Sequence, residues 1–213
     1  MGELIVFEGI DGSGKTDIAQ ALSMHFGEIS VFISKKSTEA MLPFQTKFMS
    51  EVKKVLWERL SNDAIHEIDE ESWLYLHMLW YHMVQEYVLV PKLKQYRYVM
   101  MDGWYYKFFA RHIVNKKMDT VFAEQLVSRL LPGDRVFMLD ADPEVCYKRK
   151  KGVSLSECGA HRDGETATTK NAFCKYQRLV FDAYLYMDKE QKFIKIDTNS
   201  TVSNAISKIL EVL

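Results

Sequence analysis

The sequence predicts an α/β fold in which a parallel β-sheet is covered by helices on both faces. Short apolar runs alternate with longer segments of helical periodicity along the whole chain. In addition, the first apolar run leads through a glycine-rich turn into a helical segment. Because a chain that passes through a helix between strands returns in the same direction, this alternation favours parallel strands. The five apolar runs therefore predict a five-stranded parallel sheet.

The predicted elements follow one another without an internal repeat or a low-complexity linker. Strands are expected over 4–7, 29–33, 98–101, 135–140 and 193–196. Helices are expected over 17–22, 39–60, 69–95, 105–115, 119–131 and 171–188, after Asp142-Pro143, and near 202–209, with a break or kink near Pro91. Residues from about 150 to 170 are rich in glycine, serine and threonine and lack apolar periodicity, which is typical of a mobile lid.

Composition and charge limit the possible partners. A chain of 213 residues with a net charge of −1 is long enough for one domain, predicted to span 1–213, and offers no overall basic field for nucleic acid. No apolar run approaches the roughly 20 residues that a membrane-spanning helix needs, so we expect no membrane partner. Three cysteines without a C-x-x-C pair fit a reducing compartment, which predicts a cytoplasmic location.

The glycine-rich turn carries the most specific motif in the chain. Residues 9–16 match G-x-x-x-x-G-K-[ST] without a substitution, and they lie between a predicted strand and a predicted helix. In such a loop the backbone N–H groups face inward at a helix N-terminus and bind phosphate. Lys15 is expected to reach the outer phosphates and the Thr16 hydroxyl to bind Mg²⁺. The residues expected to contact ATP are Gly9, Asp11, Gly12, Ser13, Gly14, Lys15 and Thr16.

Residues 7–16 resemble the phosphate-binding loop of bacterial thymidylate kinases, in the thymidylate kinase-like family of P-loop nucleoside monophosphate kinases. The similarity extends to Asp102 at the end of the third strand, to residues 139–149, to the lid sequence 161–163 and to the aromatic helix 173–185. It therefore covers nearly the whole chain. The resemblance implies a P-loop NTPase fold and transfer of the ATP γ-phosphoryl group to a nucleoside monophosphate.

The resemblance also implies roles for individual residues. Asp102 is expected to hold Mg²⁺ together with Thr16, directly or through water. Arg149 is expected to stack near adenine or to reach phosphate, and Arg162 to close over the γ-phosphate with the lid. These two arginines, Lys15 and Asp102 form the expected catalytic set. Asp11 is expected to face the acceptor, and a homodimer is the assembly that the resemblance implies.

The expected acceptor side departs from the family pattern. Gly103 stands where the family has an arginine after the strand-end aspartate, and the family's acceptor-phosphate arginine is missing near 79–81. Lys107 and Arg111 are four residues apart, hence on one face of a helix, and are possible replacements. Lys35 and Lys36, after the second strand, are another possible source of positive charge. Trp104 and either Trp80 or Tyr81 are predicted to sandwich the nucleobase.

These observations favour an ATP- and Mg²⁺-dependent kinase for a nucleoside monophosphate, either dTMP or a related or modified pyrimidine deoxynucleotide. The missing arginines leave open a P-loop kinase for a nucleoside or another small-molecule hydroxyl. A third reading, from a different functional class, is a nucleotide-binding module without transferase activity.

Overall fold

The computed structural model describes residues 1–58, 67–115, 120–160 and 167–213. Its centre is a sheet of five strands: β1 (Glu3–Glu8), β2 (Ser30–Ile33), β3 (Tyr98–Met101), β4 (Arg135–Asp140) and β5 (Ile194–Asp197). All neighbouring strands are parallel, and their order across the sheet is β2-β3-β1-β4-β5. The predicted five-stranded parallel sheet is confirmed.

Helices cover both faces of this sheet. They are α1 (Lys15–Phe26), α2 (Pro43–Trp57), α3 (Glu70–Val84), α4 (Val90–Gln95), α5 (Tyr105–Asn115), α6 (Thr120–Val127), α7 (Pro143–Arg149), α8 (Lys170–Gln191) and α9 (Val202–Leu210). Within the described ranges, no helix is both long and apolar enough to cross a membrane.

The central strand β1 contributes to two separate cores because successive side chains of a strand point to opposite faces. Ile5 and Phe7 pack with α1 and α9 on one face. Leu4 and Val6 pack on the other face, against the larger core formed with α2, α3, α5, α6 and α8. Nearly all of β1 is buried on both sides, which explains why the sequence there is a continuous apolar run rather than an alternating one.

The helix is not broken near Pro91, and a wider helical turn precedes the proline. Helix α3 continues through a π-helical segment, Gln85–Leu89, directly into α4. Proline has no N–H to donate to the preceding turn, and its ring crowds the carbonyl four residues earlier, so the turn in front of it widens. The polypeptide therefore keeps its helical course where the sequence predicted a break or kink.

One predicted helix is shorter than expected, and part of the predicted lid lies outside the described residues. Helix α6 ends at Val127 rather than near 131. After it, the N–H groups of Arg129 and Leu130 donate to carbonyls three residues earlier, so the chain tightens and leaves the α-helical course. In the region from about 150 to 170, the described residues include one short 3₁₀ turn, Leu155–Glu157, and residues 161–166 lie outside the described ranges. A mobile lid stays a prediction.

Strand order determines which loops meet at the carboxyl edge of the sheet. Because β1 lies between β3 and β4, the loop after Glu8 is flanked by the chain that leaves β3 at Met101 and the chain that leaves β4 at Asp140. Ligands of open α/β sheets bind at this edge. The phosphate-binding motif and Asp102 are therefore placed side by side although they are far apart in sequence.

Candidate active site

The loop between β1 and α1 has the backbone conformation that its glycines allow. Gly9 and Gly12 have φ values of 144° and 85°, a region that residues with a side chain rarely adopt. A Cβ at Gly12 would also lie 2.7 Å from the carbonyl oxygen of Cys146. The motif therefore requires glycine here for both conformation and space.

Lys15 curls back across this loop. Its Nζ donates to the carbonyl oxygens of Gly9 at 2.9 Å and Ile10 at 2.7 Å. Burial, partly opposed by the charge of Asp11, lowers the pKa of the Lys15 ammonium below its ordinary value. The ammonium thus lies across the loop, held by two of the loop's carbonyl oxygens.

Thr16 and Asp102, the two predicted metal ligands, are in direct contact. The Thr16 hydroxyl donates to Asp102 Oδ2 at 2.8 Å, and Asp102 Oδ1 accepts from the backbone N–H of Lys35 at 3.0 Å. A hydroxyl and a carboxylate side by side are hard oxygen donors of the kind that Mg²⁺ binds through one or two protein ligands plus water and phosphate. The donor set therefore fits Mg²⁺.

Asp11, Lys107 and Arg111 meet as three charged groups. Lys107 Nζ donates to Asp11 Oδ1, and Arg111 Nη2 donates to Asp11 Oδ2 at 2.7 Å. Burial alone would raise the pKa of Asp11, but the charges of Lys107 and Arg111 hold it well below its ordinary value. Burial, with the nearby positive charges of Lys15 and Arg111, holds the pKa of Lys107 well below its own ordinary value although Asp11 opposes the shift.

Gln177 of α8 holds the backbone and side chain of Asp11 together, and sequence reasoning missed it. Its Oε1 accepts from the Asp11 N–H at 3.0 Å, while its Nε2 donates to Asp11 Oδ2 at 3.2 Å and to the Glu157 carbonyl at 2.8 Å. The fully buried Gln177 side chain connects the phosphate-binding loop to the 3₁₀ turn that ends at Glu157. A lone glutamine within a helix carries no sequence signal that predicts this contact.

Glu8 is a second buried polar residue that sequence reasoning did not assign a role. Its Oε1 accepts from the Trp104 backbone N–H and its Oε2 from the Tyr184 hydroxyl, each at 2.6 Å. Burial raises the pKa of Glu8, an effect that these two hydrogen bonds and the charges of Lys35 and Lys15 oppose. A glutamate that ends an otherwise apolar strand was the available sequence signal.

The structure does not bring Trp104, Trp80 and Tyr81 together as the predicted base sandwich. Trp104 and Trp80 are fully buried. The Trp104 indole N–H donates to the Leu131 carbonyl, and the Trp80 indole N–H donates to the Lys35 carbonyl, each at 2.9 Å. The Tyr81 ring lies edge-on to Trp104, with the ring planes 82° apart. A sandwich needs two parallel rings with a gap between them, so these side chains are part of the core.

Of the two arginines predicted to be catalytic, the structure describes Arg149 only. Arg149 Nη2 donates to the carbonyl oxygens of Thr198 at 2.7 Å and Ser200 at 3.0 Å, in the loop that follows β5. Its described hydrogen bonds thus connect the end of α7 to that loop rather than to the phosphate-binding loop. Arg162 lies outside the described residues.

Comparison with known proteins agrees with this geometry. A family model described as thymidylate kinase matches residues 7–209. The chain belongs to the thymidylate kinase family. The predicted resemblance and the predicted enzyme class, nucleoside monophosphate kinase, are confirmed.

Individual relatives match along almost their whole length. A probable thymidylate kinase 2 of Saccharolobus solfataricus is 27% identical, and the match covers 100% of this chain and 95% of the relative. A thymidylate kinase of Nostoc sp. is 28% identical, with 99% and 96% covered.

Solved structures share the fold. A thymidylate kinase from Ehrlichia chaffeensis has a TM-score of 0.65 at 18% identity, over 99% of this chain and 98% of that one. One from Candida albicans has a TM-score of 0.69 at 18% identity, over 99% and 90%. The predicted P-loop NTPase fold is confirmed.

Proposed function

We propose that this protein transfers the γ-phosphoryl group of ATP to dTMP. The observation that carries the proposal is the thymidylate kinase family match over residues 7–209, which includes an unaltered phosphate-binding motif. In this reaction an oxygen of the acceptor phosphate attacks the γ-phosphorus. The bond to the oxygen bridging the β- and γ-phosphates breaks, that oxygen keeps the electron pair, and ADP leaves. The two alternatives considered from the sequence are not favoured by the family.

On the donor side, the proposed contacts come from the loop after β1. We propose that the N–H groups at the N-terminus of α1 and the Lys15 ammonium, which lies across the loop, bind the phosphates of ATP. Such a reaction asks little covalent chemistry of the protein and depends on alignment and charge neutralisation. Lys15 supplies one of the required positive charges at the N-terminus of α1.

Thr16 and Asp102 are the residues that would hold Mg²⁺, supported by their contact at 2.8 Å. When bound, Mg²⁺ would neutralise the negative charge that develops on the phosphate oxygens. The Lys35 N–H already orients the Asp102 carboxylate, so this carboxylate needs little rearrangement to bind the ion.

On the acceptor side, we propose that Asp11, Lys107 and Arg111 line the binding site. Their convergence on one another supports the proposal. Arg149 and Arg162 remain proposed catalytic residues, Arg149 on the adenine side near Thr198. A homodimer and a cytoplasmic location stay predictions.

An acceptor screen tests the proposed function. The wild-type enzyme with ATP should form product with dTMP, measured by chromatography, and should form none with thymidine. Product from thymidine but not from dTMP would identify a nucleoside kinase. ATP binding without turnover of any nucleoside or monophosphate would identify a binding module.

Lys15→Met tests the donor site. Loss of one preorganised charge contact to the reacting phosphates should lower kcat by at least about 100-fold. The exposed Lys208 in α9, changed to methionine, is the matched control and should leave kcat unchanged. If Lys15→Met keeps most of its activity while it remains folded, the assigned phosphate site is wrong.

A further inference from the structure

Glu8, the last residue of β1, connects two strands beyond the point where their backbones pair. The pairing of β1 with β3 ends at Val6 and Met101, although β1 remains paired with β4 as far as Glu8. Past that point the Glu8 carboxylate makes the connection, because its Oε1 accepts at 2.6 Å from the N–H of Trp104, in the chain that leaves β3. A side chain therefore continues the link between β1 and β3 at the carboxyl edge of the sheet.

The Glu8 carboxylate is itself held in place. It is fully buried, and its Oε2 accepts from the hydroxyl of Tyr184 in α8 at 2.6 Å. Trp104 is held from its other side, since its indole donates to the Leu131 carbonyl at 2.9 Å. Water has no access to these buried groups, so a donor that lost its bond to Glu8 would be left unsatisfied. Glu8 thus holds the Trp104 backbone in one position.

The turn that Glu8 holds, Asp102-Gly103-Trp104, is closely surrounded. Gly103 has a φ of 109°, a conformation that favours glycine. A Cβ at Gly103 would be 3.9 Å from Glu8 Oε1 and 3.4 Å from Lys35 Cδ. The side chains of Glu8 and Lys35 therefore lie next to the turn that carries Asp102.

The two proposed metal ligands belong to chain segments that meet at Glu8. Asp102 precedes Trp104 in the turn, and Thr16 follows Glu8 through the glycine-rich loop. The Thr16 hydroxyl and Asp102 Oδ2 are 2.8 Å apart. Mg²⁺ requires nearly ideal octahedral geometry with oxygens at about 2.0–2.1 Å, so it tolerates little displacement of a ligand. A shift of the turn at Trp104 would therefore weaken an ion shared by Thr16 and Asp102.

We infer that Glu8 is a positioning residue for the metal site: by holding the Trp104 N–H, it fixes Asp102 relative to Thr16 and thereby strengthens binding of the metal-bound nucleotide. The inference rests on the proposed function, in which Thr16 and Asp102 hold Mg²⁺. Glu8 acts through the backbone of Trp104 and contacts neither the ion nor the nucleotide. This role accounts for a glutamate at the end of an apolar strand, where burial of a carboxylate is costly.

Two substitutions of Glu8 separate the reach of the side chain from its charge. Glu8→Asp keeps the carboxylate but withdraws it by one methylene from the Trp104 N–H. Glu8→Gln keeps the reach, because its oxygen accepts from Trp104 and its amide donates to the Tyr184 hydroxyl, which can also accept. Tyr184→Phe is the matched control for lost stability, since it removes the other bond to Glu8 and leaves the bond to Trp104. Asp102→Asn is the reference for loss of a metal ligand.

The quantity measured is the contribution of Mg²⁺ to ADP affinity. Calorimetry gives the dissociation constant of ADP in EDTA and in excess Mg²⁺, and the first divided by the second is the metal ratio. Glu8→Asp should lower the metal ratio by about 10-fold and change the affinity in EDTA by less than about 2-fold. Glu8→Gln and Tyr184→Phe should keep the metal ratio within about 2-fold of wild type, and Asp102→Asn should lower it at least as much as Glu8→Asp. Urea unfolding without metal checks that each variant is folded.

Several results would overturn the inference. An unchanged metal ratio in Glu8→Asp, beside a lowered one in Asp102→Asn, would show that Glu8 does not position the ligand. Equal losses in Glu8→Asp and Glu8→Gln would assign the effect to charge, and equal losses in Glu8→Asp and Tyr184→Phe would assign it to lost stability. If Glu8→Asp does not fold, Glu8→Met takes its place with the same expectations.

Failure of the proposed function has a different signature. If Asp102→Asn keeps the wild-type metal ratio, the assignment of the metal site is wrong and the inference fails with it. If the wild type binds ADP with Mg²⁺ but does not turn over dTMP, the proposed acceptor is wrong. In that case the metal ratios of the Glu8 variants still decide the inference.

Discussion

Lys107→Met should destabilise the folded protein because the ammonium of Lys107 is one of two cations that neutralise Asp11 in the phosphate-binding loop. The Lys107 side chain is 5% exposed and that of Asp11 is 19% exposed, so water replaces the lost interaction only in part. Methionine preserves the approximate length and packing of the lysine stem. The measured change therefore reports mainly on charge.

The expected magnitude follows from the geometry. Two unit charges about 4 Å apart interact by about 4 kcal/mol at the effective dielectric constant of about 20 that suits protein sites. Arg111 remains at 2.7 Å from Asp11 Oδ2 and keeps the carboxylate paired, so we expect roughly half of this, about 2 kcal/mol. Asp11→Asn leaves both cations without their shared anion and should cost about 3 kcal/mol or more.

Urea unfolding of the wild type, the two single variants and the double variant gives the coupling between the side chains. The double variant should be about 2 kcal/mol more stable than the sum of the single effects predicts. The exposed Lys94, changed to methionine, is the control for loss of a positive charge. Additive effects within about 0.5 kcal/mol would refute the reasoning, because they would show that the ion pair contributes no energy to folding.

Two further results are expected. Tyr184→Phe removes the hydroxyl that donates to buried Glu8 at 2.6 Å and should lower the free energy of unfolding by about 1–3 kcal/mol. Tyr75→Phe is the control: it removes a 2.8 Å hydrogen bond to Glu71 at an exposed site and should change the free energy of unfolding by less than about 0.5 kcal/mol. Similar effects of the two substitutions would argue against a special role of burial. The folded-state pKa of Asp11 is below its unfolded value of 3.8, so the contribution of its carboxylate to stability is fully present above 3.8 and is lost as the pH falls through the folded-state pKa. The difference in the free energy of unfolding between wild type and Asp11→Asn, measured by urea unfolding across pH, should therefore be constant near neutrality and shrink below 3.8. A difference that persists in strong acid would contradict this.

The donor side was largely predictable because its determinants are local. A strand, a loop of fixed glycine spacing and a helix are consecutive in sequence, so the motif itself specifies the curled backbone around Lys15. Asp102 needed one more rule, that the carboxyl ends of parallel strands share an edge. That rule placed Asp102 at the edge of the sheet where Thr16 lies, and the structure shows the two in contact.

The structure does not form the predicted base sandwich, for a reason that sequence spacing cannot reveal. Tryptophan is large enough both to stack on a base and to fill a core, and the pattern of apolar residues does not distinguish the two. In the structure, the backbone carbonyls of Leu131 and Lys35 each accept the N–H of a buried indole, which holds both tryptophans in the core. Both acceptors are distant in sequence from the tryptophans that they bind.

By itself, the sequence determined the fold class, the family and the donor loop of this protein, because these follow from periodicity and from residues that are adjacent along the chain. Lys107 and Arg111 could be placed on one helical face, but not against Asp11. Only the tertiary structure decided which charges compensate one another, because that depends on distances across the sheet edge. The pairing of Asp11 with these two cations, and the position of Lys35 over Gly103, arise there.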